Sequence, residues 1–387
     1  MFRFDPFSPE IDADPFPAYR RLREEFPCFW SEEANGWILS RFADIVAALN
    51  DWPRYSSTKG NNVAELPNRA GATLGTTDPP RHDQLRALIQ YAFGKRNLGS
   101  LTGHIRDLAR QAAEALSGRK RFDFVGDFCG PLTVRVLSAA LGLPPGDEGM
   151  VRENAIMMVQ TDPLLRAKGP QHVAAFEWMK AYAAKVIAER RADPQNDLIS
   201  HFARAEIDGD TLSERELLMT TTTLIMAGVE SLGGFMAMFG LNLADFPDVR
   251  RAVVANPALL PDAMEESLRY NTSAQRFRRC LTEDVELHGQ SMRAGDLVCL
   301  AYGSGNRDDR QYPNPDVYDL ARKPRGHLGF GGGVHSCLGS AMARLSTVIA
   351  IDEFHKIVPE YHRVDDKLLW MPSANFRSPL RLTLEAA

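Results

Sequence analysis

The sequence lacks several things, and each absence closes off a class of protein. Its 45 Lys and Arg are nearly balanced by 50 Asp and Glu, for a net charge of −5. No basic stripe rises above that background, so nucleic acid is not an expected partner. The five cysteines, at 28, 129, 280, 299 and 337, form no C-x-x-C pair, which is poor material for a disulfide framework or a zinc site. No run is apolar for the roughly 18 residues a membrane span needs. The opening stretch MFRFDPFSPEIDADPFPAYR is broken by prolines and holds no apolar core for a signal peptide. A cytoplasmic protein is expected. Gly/Ser linkers, charge blocks and internal repeats are also missing. The whole chain, 1–387, therefore reads as one large domain, and at 44% hydrophobic it has ample material for a core.

What is present is mainly helical pattern. Asn35-Gly36 between two aromatic-rich runs signals a hairpin near the start, and RFADIVAALND a short helix after it. Residues 57–77 are polar, glycine-containing and aperiodic, the mark of a long functional loop. From 83 to about 245, apolar residues recur at helical spacing. The longest candidate, Ser213 to Asp245, would span roughly 50 Å and is apolar on nearly every face, as a central buried helix should be. PDAMEESLRY reads as a helix, DVELHGQSMRAGDLVCLAY as strands joined by turns, and SPLRLTLE alternates Leu380, Leu382 and Leu384 like a strand. The expected class is mainly α with a minor antiparallel β portion.

One stretch stands apart. HLGFGGGVHSCLG places Cys337 behind a run of glycines, with His335 just before it and a helical pattern after it. Unpaired N–H groups at a helix start stabilise a thiolate. A glycine-rich approach lets a flat, bulky ligand lie against the backbone, and haem iron with a cysteine ligand is one such partner. The other four cysteines sit in apolar company and read as small buried hydrophobes.

The pattern Phe330-Gly331-x-Gly333-x-His335-x-Cys337-x-Gly339 resembles, position by position, the haem-binding loop of the cytochrome P450 monooxygenases of the soluble bacterial type. The resemblance implies the cytochrome P450 fold with a long central helix. It implies haem b with Cys337 as thiolate ligand to the iron, His335 reaching a haem propionate and Phe330 packing beside the cysteine. Three further segments fit in the right order. Glu266 and Arg269 match the family's ExxR pair, and i, i+3 spacing puts both on one helix face. Ala227-Gly228-Val229-Glu230-Ser231 resembles the oxygen-binding groove, implying that Gly228 admits a ligand and that Glu230 and Ser231 relay protons. Serine stands where threonine is typical, keeping the hydroxyl without the methyl that fixes its rotamer. His82 and Arg86 at HxxxR spacing, with Arg279, occupy places that bind the haem propionates in the family.

The implied activity is insertion of one oxygen atom of O2 into a small organic substrate, by hydroxylation or O-dealkylation. No flavin segment and no cysteine set for an iron–sulfur cluster is visible, so a separate ferredoxin with its reductase is the expected electron donor, and a monomer the expected state. A basic patch near Cys337, including Arg344, could steer an acidic partner. Two other readings are a haem-thiolate enzyme that uses peroxide or rearranges its substrate, and a non-catalytic haem sensor. By resemblance the substrate pocket draws on the 57–77 loop, the Met157-Met158 region, Leu224 to Ala227, Thr272 to Phe277 and Ser373 to Phe376. Ser57, Thr58, Lys59, Asn61, Gln275 and Arg276 are its candidate polar contacts, with Lys59 or Arg276 meeting a substrate carboxylate.

Overall fold

Ser213 begins the element around which the chain is built. Its side chain accepts from the backbone N–H of Glu216 while the Glu216 side chain reaches back to the Ser213 N–H, a reciprocal cap that starts the helix Glu214–Asp245. The computed structural model describes residues 2–90, 95–207 and 209–387. Within it this 32-residue helix is buried along most of its length. It packs against the helices Gly130–Leu141, Glu148–Val159 and Pro170–Ala192 on one side, and against Leu260–Tyr270 and Ser340–Ile357 on the other. Two core clusters share it, one running through Leu217, Ile225 and Val229, the other through Leu232, Phe235 and Phe239.

Strands are few and short. A five-stranded sheet runs in the order Cys28–Ser31, Gly36–Leu39, Leu297–Leu300, Phe277–Leu281, Tyr55–Ser56. Asn35 takes a left-handed φ of 46° in the turn of the first hairpin. One pairing departs from the expected antiparallel pattern: Gly36–Leu39 lies parallel to Leu297–Leu300, a long-range closure that the local sequence does not encode. The C-terminal strand is also shorter than the leucine alternation predicts. It begins at Thr383, and Leu380 instead bonds back to the Leu369 carbonyl.

The expectation that no segment suits a membrane span needs correction. Phe124–Leu141 and Glu214–Asp245 are long and apolar enough by composition, but 67% and 72% of their apolar windows are buried inside the protein. Packing against other helices accounts for that apolarity.

Candidate active site

The glycine loop is shaped by two left-handed residues, Gly331 at φ 67° and Gly333 at φ 62°. A side chain on Gly333 would run into the backbone of Leu49. The loop closes on itself where the Cys337 N–H donates to the Phe330 carbonyl at 2.9 Å. The following helix begins at Ser340, with Gly339 at its N-cap, so Cys337 lies just ahead of the helix rather than in its first turn. The physics of a helix start still reaches it: the backbone N–H groups of Gly339 and Ser340 both donate to its sulfur.

Cys337 is the only exposed cysteine; the other four are buried. Its exposure is to two cavities rather than to the outer surface. The larger in total empty space, about 1710 Å³ with its open mouth included, extends from the loop along the central helix; the other, about 1120 Å³ on the same measure, lies on the opposite side of the loop. The protein around the sulfur still raises its pKa, with the two N–H donors and the charges of Arg86 and Arg344 acting in the other direction.

Basic side chains gather beside the loop. The rings of His82 and His335 meet edge to face with centroids 4.6 Å apart. His335 Nε2 faces Asp78 at 3.4 Å, and desolvation by the surrounding protein lowers its pKa. His335 Nδ1 and His82 Nε2 are buried without a partner. Arg279, carried by the strand Phe277–Leu281, lines the larger cavity and is bonded to Tyr302 and to the Arg278 carbonyl at 2.8 Å. Arg86 is placed differently: it donates to the Ser336 carbonyl at 3.0 Å and lines the second cavity, on the far side of the loop. Arg344 stands over the Phe330 ring at 4.4 Å and pairs with Glu265 at 2.5 Å, so its charge is largely answered already.

The central helix contributes Ala227, Gly228, Glu230 and Ser231 to the wall of the larger cavity. Glu230 is buried and accepts from the Ser378 hydroxyl at 3.3 Å; burial lifts its pKa from 4.5 to about 7. It also lines a cavity of about 40 Å³ behind the helix, beside Thr133, Arg152 and Ser378, large enough for ordered water. Two of these residues carry a further contact. The Ser231 hydroxyl donates to the Ala227 carbonyl of its own helix, so its proton is already committed. Gly228 is demanded by a neighbouring helix as well as by the cavity, since a Cβ there would sit 2.6 Å from a Leu137 methyl.

Glu266 and Arg269 form a fully buried, doubly bonded pair at 2.7 and 2.8 Å. Arg269 also donates to the carbonyls of Asn306, Pro315 and Val317, and Arg322 reaches Glu266 at 3.1 Å. The cluster ties the segment that precedes the Cys337 loop to the helix Leu260–Tyr270.

The pocket expectations divide. Leu224 and Ala227 line the larger cavity, with Asn61 and Asn62 of the 57–77 loop, Val159 rather than Met157 or Met158, and Phe277, Asn375 and Phe376. Gln275 and Arg276 do not. Gln275 is buried against the Tyr19 hydroxyl at 3.0 Å, and Arg276 donates to the Ala374 carbonyl at 2.7 Å. Ser57 is buried outside the cavity, while Thr58 and Lys59 are exposed away from it. Sequence reasoning missed Arg69 and Lys168, which do line it. Lys168 sits in TDPLLRAKGP, a stretch that reads as an exposed turn, and nothing local marks its side chain as inward-facing.

Comparison with known proteins agrees with this arrangement. A sequence model of the family described as Cytochrome P450 matches residues 254–353, the span that holds Glu266, Arg269 and Cys337. A putative cytochrome P450 123 of Mycobacterium tuberculosis is 32% identical over 379 residues, covering 96% of this chain and 94% of that protein. The chain belongs to the cytochrome P450 family. The nocardicin C N-oxygenase of Nocardia uniformis is 33% identical over 97% of both chains. The solved structure of the cytochrome P450 PksS of the Bacillus subtilis bacillaene polyketide synthase superposes with a TM-score of 0.91 at 29% identity, covering 99% of this chain and 100% of that one. As a cytochrome P450 the protein is a monooxygenase whose cofactor is haem b, held by a cysteine thiolate.

Proposed function

We propose that the whole chain, 1–387, acts as one haem-thiolate domain with Cys337 as the axial ligand. In this reading it is a monomeric cytoplasmic enzyme that hydroxylates or O-dealkylates a small organic substrate, with electrons from a separate ferredoxin and its reductase. One observation carries the assignment: the single exposed cysteine among the described residues receives two backbone N–H donors at the mouth of a glycine-shaped loop.

The surrounding residues fit haem. Its acidic side chains need donors, and His82 Nε2 and His335 Nδ1 are buried with none of their own partners, while Arg279 lies along the same cavity as His335. Arg86 is better placed to support the loop through Ser336 and to favour the thiolate by its charge. Haem supplies the oxygen chemistry when bound, strengthened by its thiolate ligand.

The chain's own residues do the rest. Gly339 and Ser340 hold negative charge on the Cys337 sulfur through their N–H groups. Phe330 packs beside it under the Arg344 guanidinium. Leu137, Leu224, Phe235 and Phe376 make the larger cavity apolar and exclude bulk water. Glu230, poised near pH 7 between that cavity and the small one behind it that Arg152 and Ser378 also line, can take up a proton from one side and give it to the other. Ser231 can accept a hydrogen bond in this arrangement and can donate one only by releasing Ala227. Arg86 and Arg325 border the second cavity beside Cys337, with Arg344 already paired to Glu265, and suit an acidic electron donor.

The test is turnover of a panel of small aromatic acids and terpenes with ferredoxin, ferredoxin reductase and NADPH under isotopically labelled O2. One labelled oxygen atom in the product is the expected result. Turnover with peroxide but none with ferredoxin would overturn the electron-transfer part of the proposal.

A further inference from the structure

We propose that the part of the larger cavity lined by Lys168, Arg69, Asn61 and Asn62 is a carboxylate-binding subsite, so that the substrate is an apolar molecule carrying one acidic group. The inference deepens the proposed function and rests on it for where oxidation occurs; the anion site stands on its own geometry.

Lys168 is the key. Its ammonium donates to the carbonyls of Met158 at 2.7 Å and Gln160 at 2.6 Å, and it pairs with no carboxylate among the described residues. Two neutral acceptors leave one N–H unanswered beside an apolar cavity, where the protonated ammonium is costly to hold without a counter-ion. Burial accordingly pulls its pKa down from 10.5 to about 7, with Arg69 acting in the same sense and Glu65 against it.

Glu65 is the nearest acidic group acting on Lys168, and its hydrogen bonds are already filled. It accepts from the backbone N–H groups of Asn61 at 3.0 Å, Asn62 at 3.2 Å and Leu66 at 3.0 Å, and from the Arg69 guanidinium at 2.5 and 2.8 Å. Arg278 draws on the same carboxylate from outside the cavity. His172 brings no negative charge either, since its Nδ1 accepts from the Gly169 N–H at 2.8 Å. Of the two cations that line this region, Arg69 is therefore neutralised and Lys168 is not. The protonated form of Lys168 presents a single uncompensated positive charge, and a monoanion beside it would match and favour that form.

Lys168 and Cys337 line the same cavity, but different charges act on each: Arg86 and Arg344 on Cys337, Glu65 and Arg69 on Lys168. The cavity is also walled by Leu137, Val159, Leu224 and Met226. An apolar passage with one charged anchor selects an amphiphile and orients it, acid group held at Lys168 and apolar body toward Cys337.

The competing reading is that Lys168 only caps the carbonyls at the end of the helix Glu148–Val159. Haem-loaded enzyme titrated with dodecanoate and with methyl dodecanoate separates the two, read by calorimetry and by the haem spin-state shift. The acid is expected to bind about tenfold more tightly than the ester. Lys168→Met should abolish that preference with ester affinity unchanged, and Lys168→Arg should keep it. Should Lys168→Met fail to fold, Lys168→Gln, whose amide can still donate to a carbonyl, takes its place. Equal affinity for acid and ester in the native enzyme, or an undiminished preference in the lysine variant, would overturn the proposal. Calorimetry reads the preference whatever ligates the iron, so a failed thiolate assignment would leave this result interpretable.

Discussion

His82 and His335 meet ring to ring at 4.6 Å, and each keeps one buried nitrogen without a protein partner. Such orphaned donors are rare unless something absent from the polypeptide satisfies them. His335→Phe should keep the ring packing, remove both nitrogens, and release haem about tenfold faster. Haem transfer to an acceptor globin measures this, and an unchanged rate would contradict the role.

Much of this was legible in the sequence because it is local. The Cys337 loop, the Glu266 to Arg269 spacing and the central helix each lie within one continuous stretch, and their residue types admit few other uses. Residues brought in by tertiary packing were not legible. Arg276 sits beside residues that line the cavity, yet it turns away to the Ala374 carbonyl, while Lys168 enters from a turn. Cationic side chains in polar stretches look alike until the fold decides which face they take. Ser231 shows the same limit on a smaller scale, since only the helix geometry reveals its bond to Ala227.

The Glu266 and Arg269 pair has no exposed surface, and removing Arg269 leaves the buried Glu266 carboxylate with Arg322 as its one remaining cationic partner among the described residues. Arg269→Ala should destabilise the protein by about 3–5 kcal/mol, enough to prevent accumulation of haem-loaded enzyme. Denaturant unfolding and the yield of haem-loaded protein are the measures. Stability within error of the native enzyme would show that the cluster does not hold the segment before the loop.

Glu230 is held near pH 7 by burial, so its protonated fraction falls as pH rises through about 7. If it donates protons, turnover should fall over that same range. Glu230→Gln should turn over about a hundredfold more slowly and lose that limb of the pH profile. An identical pH profile in the variant would place the ionisation elsewhere.

Gly228 and Leu137 are a packing pair across two helices, where a Cβ would fit only if the Leu137 methyls shifted. Gly228→Ala should cost about 1–3 kcal/mol, and Leu137→Ala in the same chain should recover part of it. A double-mutant cycle from denaturant midpoints reads the coupling; additive costs would mean that the two do not constrain each other.

The central claim is that the Cys337 thiolate carries the haem. The absorption spectrum of the reduced protein under carbon monoxide tests it most directly, for native enzyme and Cys337→Ser side by side. The account predicts the long-wavelength Soret band of thiolate-ligated haem in the native protein and its loss in Cys337→Ser, with haem still bound in the pocket. The same band surviving in Cys337→Ser, or a native protein that takes up no haem when haem is plentiful, would contradict it.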